Sequence, residues 1–182
     1  MSATEPLWLL FLLIFLAGFV GKLGDGHIEH GLDFFPGAGL FFASLGGLLW
    51  GYVMTRSPVL MTGFMGLVFF WTWKLTWDHH YHAVCLIIIL CFALNSDYRM
   101  DTAAALAICT AHALSHWLKN HPPTIGHAAH ALFYRFRLDF LLILLIYALM
   151  AGPEGMVGYS CFLGTVAANW VFCIPKAVVA RG

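Results

Sequence analysis

The chain is short of charge. Only 10% of its 182 residues are Asp, Glu, Lys or Arg, nine of each sign, and the net charge is zero. A soluble domain carries about 25% charged residues. An ordinary soluble fold, a disordered tail and a coiled coil are therefore excluded as expectations. Nine basic residues spread along the chain cannot form a nucleic-acid footprint. Paired cysteine motifs are also lacking. Cys85, Cys91, Cys109, Cys161 and Cys173 all sit in apolar runs and none forms a CxxC pair, so they read as buried small hydrophobes. There is no repeat and no low-complexity tract. Met1–Glu5 has no Lys or Arg, as a cleaved signal would require, so the first apolar run is expected to stay as a helix.

What the chain has is apolar surface. It is 61% hydrophobic, with a mean hydropathy of +0.82. Seven runs approach the length of about 17–25 residues that crosses a bilayer as a helix. They are roughly Pro6–Gly21, Gly37–Met54, Pro58–Trp73, Tyr81–Leu94, Thr102–Leu118, Leu138–Gly152 and Met156–Ile174. The first, fourth and sixth are short and need residues from their flanks. Runs such as Leu86–Leu90 lack the alternation of barrel strands. The expected fold class is all-α, a polytopic integral membrane helical bundle of about seven transmembrane helices (or six), forming one membrane domain over residues 1–182. The small residues of the second run, Gly39, Ala43, Gly47 and Gly51, read as close packing within the chain rather than as a dimer motif.

With seven spans the connections alternate between two faces. One face holds Arg56 and Arg99. The other holds Lys22, Lys74, Lys119, Arg135, Arg137, Lys176 and Arg181. Short cytoplasmic loops carry the excess of Lys and Arg, so the second face is expected in the cytoplasm, with the N-terminus outside and the C-terminus inside. All ten His fall at or near that second face. They form four clusters: His27 and His30; His79, His80 and His82; His112, His116 and His121; and His127 and His130. Trp71, Trp73, Trp77 and Trp117 read as an aromatic belt at the headgroups.

Imidazole and carboxylate together are the ligands of Zn, Fe and Mn. His112 and His116 have the i, i+4 spacing by which one helix supplies two ligands. They are expected as metal ligands together with His27 and His30. Gly24 and Gly26 make the start of that second segment read as a turn. Lys74, Asp78 and His82 are spaced as one helical stripe. Asp25, Asp78 and His82 are the expected catalytic groups. Lys22, Lys74, Arg135 and Arg137 are expected to bind the substrate, the two arginines gripping a phosphate. His79, His80 and His121 suit the membrane interface equally well.

The expected function is a metal-dependent enzyme acting on a membrane lipid or lipid phosphate at the cytoplasmic leaflet, of hydrolase or phosphotransferase type. The alternatives are a di-iron lipid oxygenase or desaturase, and a non-enzymatic transporter or subunit of a membrane complex. The outer halves of the runs are poor in polar residues, which argues against a through-going transport path. No nucleic-acid partner is expected; a homo-oligomer or a membrane-complex partner is compatible with the composition.

Three family comparisons bear on this expectation. The string Leu23–Gly26 (LGDG) and the later Leu138–Phe140 (LDF) are similar to strings in archaeal lipid cytidylyltransferases. There the Gly is followed by Lys-Thr, and here by His27-Ile28. The distribution of His resembles that of membrane di-iron desaturases and hydroxylases, whose His-x-x-His-His boxes are absent. The gathering of His and Asp at helix ends resembles small bacterial membrane hydrolases, whose His-Arg-Gly-x-Thr-His-Ser string is absent. These short strings do not assign a family.

Overall fold

The computed structural model describes residues 5–32, 34–74, 79–122, 126–135 and 138–173, with the backbone alone at Glu29, His30, His127, Ala128, Arg135 and Cys173. The described chain is helical and contains no strand. Its helices are α1 (Leu7–His30), α2 (Ala38–Met54), α3 (Pro58–Trp73), α4 (His80–Leu94), α5 (Thr102–Asn120), α6 (His127–Arg135), α7 (Leu138–Ala151) and α8 (Pro153–Ala168). A π-helical turn, Asn169–Cys173, continues α8.

Local chemistry sets several boundaries. Ser57 caps α3, its side chain accepting from the Leu60 N–H, and Pro58 occupies the first turn. Asp101 does the same for α5 by accepting from Ala104 N–H. At the end of α1, Gly31 takes a left-handed conformation (φ 57°), and its N–H returns to the Gly26 carbonyl.

Contacts between helices fix their directions. Gly24 lies against Phe42 and Ala43, and Gly46 against Gly21, so α1 and α2 are antiparallel. Gly39 faces Tyr81, Gly47 faces Cys85 and Ile88, and Gly51 faces Phe92, so α4 runs parallel to α2. The Asp101 N–H donates to Thr62 Oγ1 at 2.8 Å, and Phe70 packs on His112, so α5 is parallel to α3. The Tyr147 hydroxyl donates to the Val59 carbonyl while Phe140 packs on Phe70, so α7 is antiparallel to α3. Finally α8 lies parallel to α1. Ser160 Oγ donates to the Phe11 carbonyl at 2.9 Å and Thr165 Oγ1 to the Gly18 carbonyl at 3.2 Å. The small-residue row of α2 therefore packs inside the chain, as its pattern suggested.

Among the described residues, two stretches are long and apolar enough to cross a membrane, Leu7–Ile28 and Pro153–Phe172. Helices are present near all seven expected positions, but seven spans are not established. At 1.5 Å per residue, α4 and α7 extend only about 21–23 Å, because the polar and Gly/Pro boundaries that flank them hold. The 19 residues of α5 are long enough, but His112, His116, Ser115 and Lys119 dilute its apolar character. Two connections also differ from expectation. The segment from Lys22 to His30 is helix, not turn, and the connection after Asn120 contains α6. Cys161 is buried and Cys85 and Cys109 are half-buried, but Cys91 is exposed, so burial does not extend to it.

Candidate functional site

The alternating directions bring the C-terminal halves of α1 and α5 and the N-terminal turns of α4 and α7 to one end of the bundle, which carries two polar centres.

The first is built on α1, α2 and α4. Asp25 lies on the continuation of α1. Its Oδ1 accepts from His82 Nε2 at 3.2 Å, and its Oδ2 is 3.4 Å from Lys22 Nζ one turn earlier. The Asp25 side chain remains 37% exposed, whereas Lys22 and His82 are more enclosed. Five residues along α1 from Lys22, His27 Nδ1 donates to the Leu32 carbonyl at 2.7 Å, which leaves Nε2 as the basic nitrogen. The His27 ring packs 6.0 Å from Tyr81. Gly39 makes that meeting possible: a Cβ there would stand 2.7 Å from His27 Cδ2 and 2.6 Å from Tyr81 Cδ2. His79 caps α4 by accepting from the Tyr81 N–H, and its ring packs 4.1 Å from that of His80.

The second centre is built on α3, α5 and α7. His112 is 1% exposed, with its ring 5.3 Å from Phe70 and 4.4 Å from Phe140. One turn further along α5, Ser115 Oγ donates to Asp139 Oδ2 at 2.9 Å. Asp139 is 6% exposed, and its Oδ1 has no hydrogen-bond partner among the described residues. It lies in the first turn of α7, where the helix dipole favours an anion. His116 packs more loosely on Phe70, at 6.4 Å.

The structure thus joins three of the expected site residues, bringing His82 to Asp25, 57 positions away, beside Lys22. It does not join the expected metal set. His27 belongs to the first centre and His112 and His116 to the second, while the side chain of His30 is not among those described. No group of three His, Cys, Asp or Glu side chains among the described residues gathers to hold a metal ion. Lys74 and His82 of the expected helical stripe fall on different helices. Lys74 is the C-cap of α3, whereas His82 sits in the first turn of α4, which His79 begins. Asp78 and Arg137 lie outside the described residues, and only the backbone of Arg135 is described, at the end of α6. The Ser115–Asp139 bond carried no assigned role in the sequence. Its signal was a Ser one turn after a helical His, opposite an Asp opening the next apolar helix.

A carboxylate flanked by an ammonium and an imidazole can accept a proton from a bound hydroxyl and place positive charge beside an anionic group. No protein-family model, no curated protein and no solved structure matches this chain.

Proposed function

We propose that the chain is a multi-pass integral membrane enzyme that acts on a lipid or lipid phosphate at the cytoplasmic leaflet. The membrane part rests on the outward apolar faces. Leu12, Leu48, Ile87, Leu106, Ile146 and Leu163, from six different helices, are all exposed, and such faces belong against hydrocarbon rather than water. In this reading α1–α5, α7 and α8 cross the bilayer, the N-terminus is outside, and the end carrying Asp25 faces the cytoplasm.

The observation that carries the enzymatic part is the Lys22–Asp25–His82 cluster, where a partly exposed carboxylate is held by two enclosed cationic or donor groups. A substrate phosphate arriving at Lys22 takes over the ammonium and leaves Oδ2 to accept a proton. The attacking hydroxyl, from water or an alcohol, gives that proton to Asp25 as its oxygen bonds to phosphorus. The ester bond to the leaving oxygen breaks, and Asp25 returns the proton to that oxygen. His82 keeps the carboxylate oriented throughout.

The test is turnover of lipid phosphates by the purified protein in liposomes, followed by product analysis. Asp25→Asn is expected to lower the rate by about 10²–10⁴-fold with the helical content retained. Absence of turnover across a lipid-phosphate panel, or an Asp25→Asn protein with the wild-type rate, overturns the enzymatic reading.

A bound Zn, Fe or Mn ion is a second reading, favoured by the one-turn spacing of His112 and His116 on α5. Stoichiometric metal in the purified protein, lost in His112→Ala/His116→Ala, would support it; metal-free protein would overturn it.

A further inference from the structure

The Asp139 centre is explained by its place at the start of α7, and in the mostly apolar crevice between α3, α7 and α8 the Tyr147 hydroxyl is already spent on the Val59 carbonyl. The connection between α5 and α7 carries more. From Thr102 to Leu138 the sequence contains no Asp or Glu, while it holds Lys119, Arg135 and Arg137 together with five His. Asp25, in the first polar centre, lies on α1, and Asp139 follows the stretch at the start of α7. The excess of cations is therefore local to this stretch.

The stretch also holds a helix that is not a span. α6 has nine residues, about 14 Å of helix, too short to cross a bilayer. Two contacts hold it against the end of the bundle. His130 Nε2 donates to the Leu118 carbonyl at 3.0 Å, at the end of α5, and Tyr134 is buried. Its other side is open: Leu132 is 53% exposed. On the neighbouring turn of α5, Trp117, Leu118 and Lys119 are exposed as well. Exposed Leu132, Trp117 and Leu118 beside Lys119, in a stretch whose sequence is basic and free of acids, match the chemistry of an anionic lipid surface. Leucine and tryptophan enter the acyl boundary while the basic groups meet phosphates.

We propose that α6 and the last turn of α5 form a docking surface for anionic phospholipid, lying in the plane of the cytoplasmic leaflet. This inference rests on the membrane reading above. It adds a lipid dependence that the Lys22–Asp25–His82 cluster does not require. Because α6 is tied to the end of the helix that carries His112 and Ser115, its docking also fixes that end of α5.

The experiment is hydrogen exchange, followed by mass spectrometry, on the full chain in nanodiscs. One set contains phosphatidylcholine alone, the other equal parts of phosphatidylcholine and phosphatidylglycerol. Amides of residues 127–135 are expected to exchange more slowly in the anionic discs, by about fivefold for each basic residue engaged. Lys119→Gln/Arg135→Gln/Arg137→Gln is expected to erase that difference, and Leu132→Asp to reduce it. Equal exchange of α6 in the two sets overturns the inference, as does a difference that survives the triple variant. The amides of α2 and α3 report on the underlying reading. Failure to enter the discs, with α2 and α3 exchanging as they do in water, overturns the membrane assignment and this inference together. Protected α2 and α3 with an α6 indifferent to phosphatidylglycerol overturns this inference alone.

Discussion

At the residue scale, the buried hydrogen bond between Ser115 and Asp139 is the sharpest stability element of the polar end. Its carboxylate is enclosed, and Ser115 is the one donor described on it. Ser115→Ala is expected to destabilise the protein by about 1–2 kcal/mol, measured by reversible denaturation in detergent. Adding Asp139→Ala to Ser115→Ala is expected to be much less than additive, because the partner is already gone. Additive effects would mean that the two side chains do not bond. This pair, like Asp25 with His82, was not legible beforehand. The residues are 24 and 57 positions apart, and spacing along one helix says nothing about which face a second helix will present. What could be read was the list of candidates. Their gathering at one end followed from the alternation of helices. Their division into two centres followed from packing partners, Tyr81 for His27 and the Phe70–Phe140 pair for His112.

At the element scale, the tightest joint is between α1 and α8. A Cβ on Gly18 would overlap the Cys161 carbonyl, and one on Gly164 would overlap the Phe15 carbonyl. Both obstacles are backbone, so the helices themselves must separate. Gly18→Ala and Gly164→Ala are each expected to destabilise by about 1–3 kcal/mol. Gly21→Ala, with nothing within 4 Å of its Cβ, is expected to be neutral or stabilising by up to about 1 kcal/mol, since Ala is the better helix former. Thermal unfolding of the three variants side by side checks this, and equal losses at all three would contradict the packing. The helices were largely legible because each is an apolar run bounded by Gly, Pro or charge; α3 falls on its expected residues. The exceptions have physical causes. Gly24 and Gly26 carry a turn signature, yet packing of Gly24 on α2 keeps α1 helical to His30. The nine residues of α6 are too few to show a helical apolar stripe, and the helix is held by tertiary contacts.

At the scale of the whole molecule, the question is what surrounds the outward apolar faces. Leu48, Ile87 and Ile146 are 48%, 59% and 51% exposed. On a soluble bundle, arginine at such positions would be nearly neutral. In a bilayer each is expected to cost about 2.5–3.5 kcal/mol at a mid-helix position. Leu48→Arg, Ile87→Arg and Ile146→Arg are therefore expected to impair membrane insertion, scored by glycosylation mapping of the flanking loops. Undiminished insertion of all three would argue against a lipid-facing surface there. Reporter fusions at both termini test the orientation, with an outside N-terminus and an inside C-terminus expected.

The joint of α1 with α8 also has a consequence in time. In synthesis α1 precedes its closely packed neighbour α8 by the length of the intervening helices, and the two carbonyls that accept from Ser160 and Thr165 have those partners only once α8 is made. This face of α1 is therefore closed by a late clasp between positions 147 and 149 residues apart, and it stays half-dressed until α8 emerges.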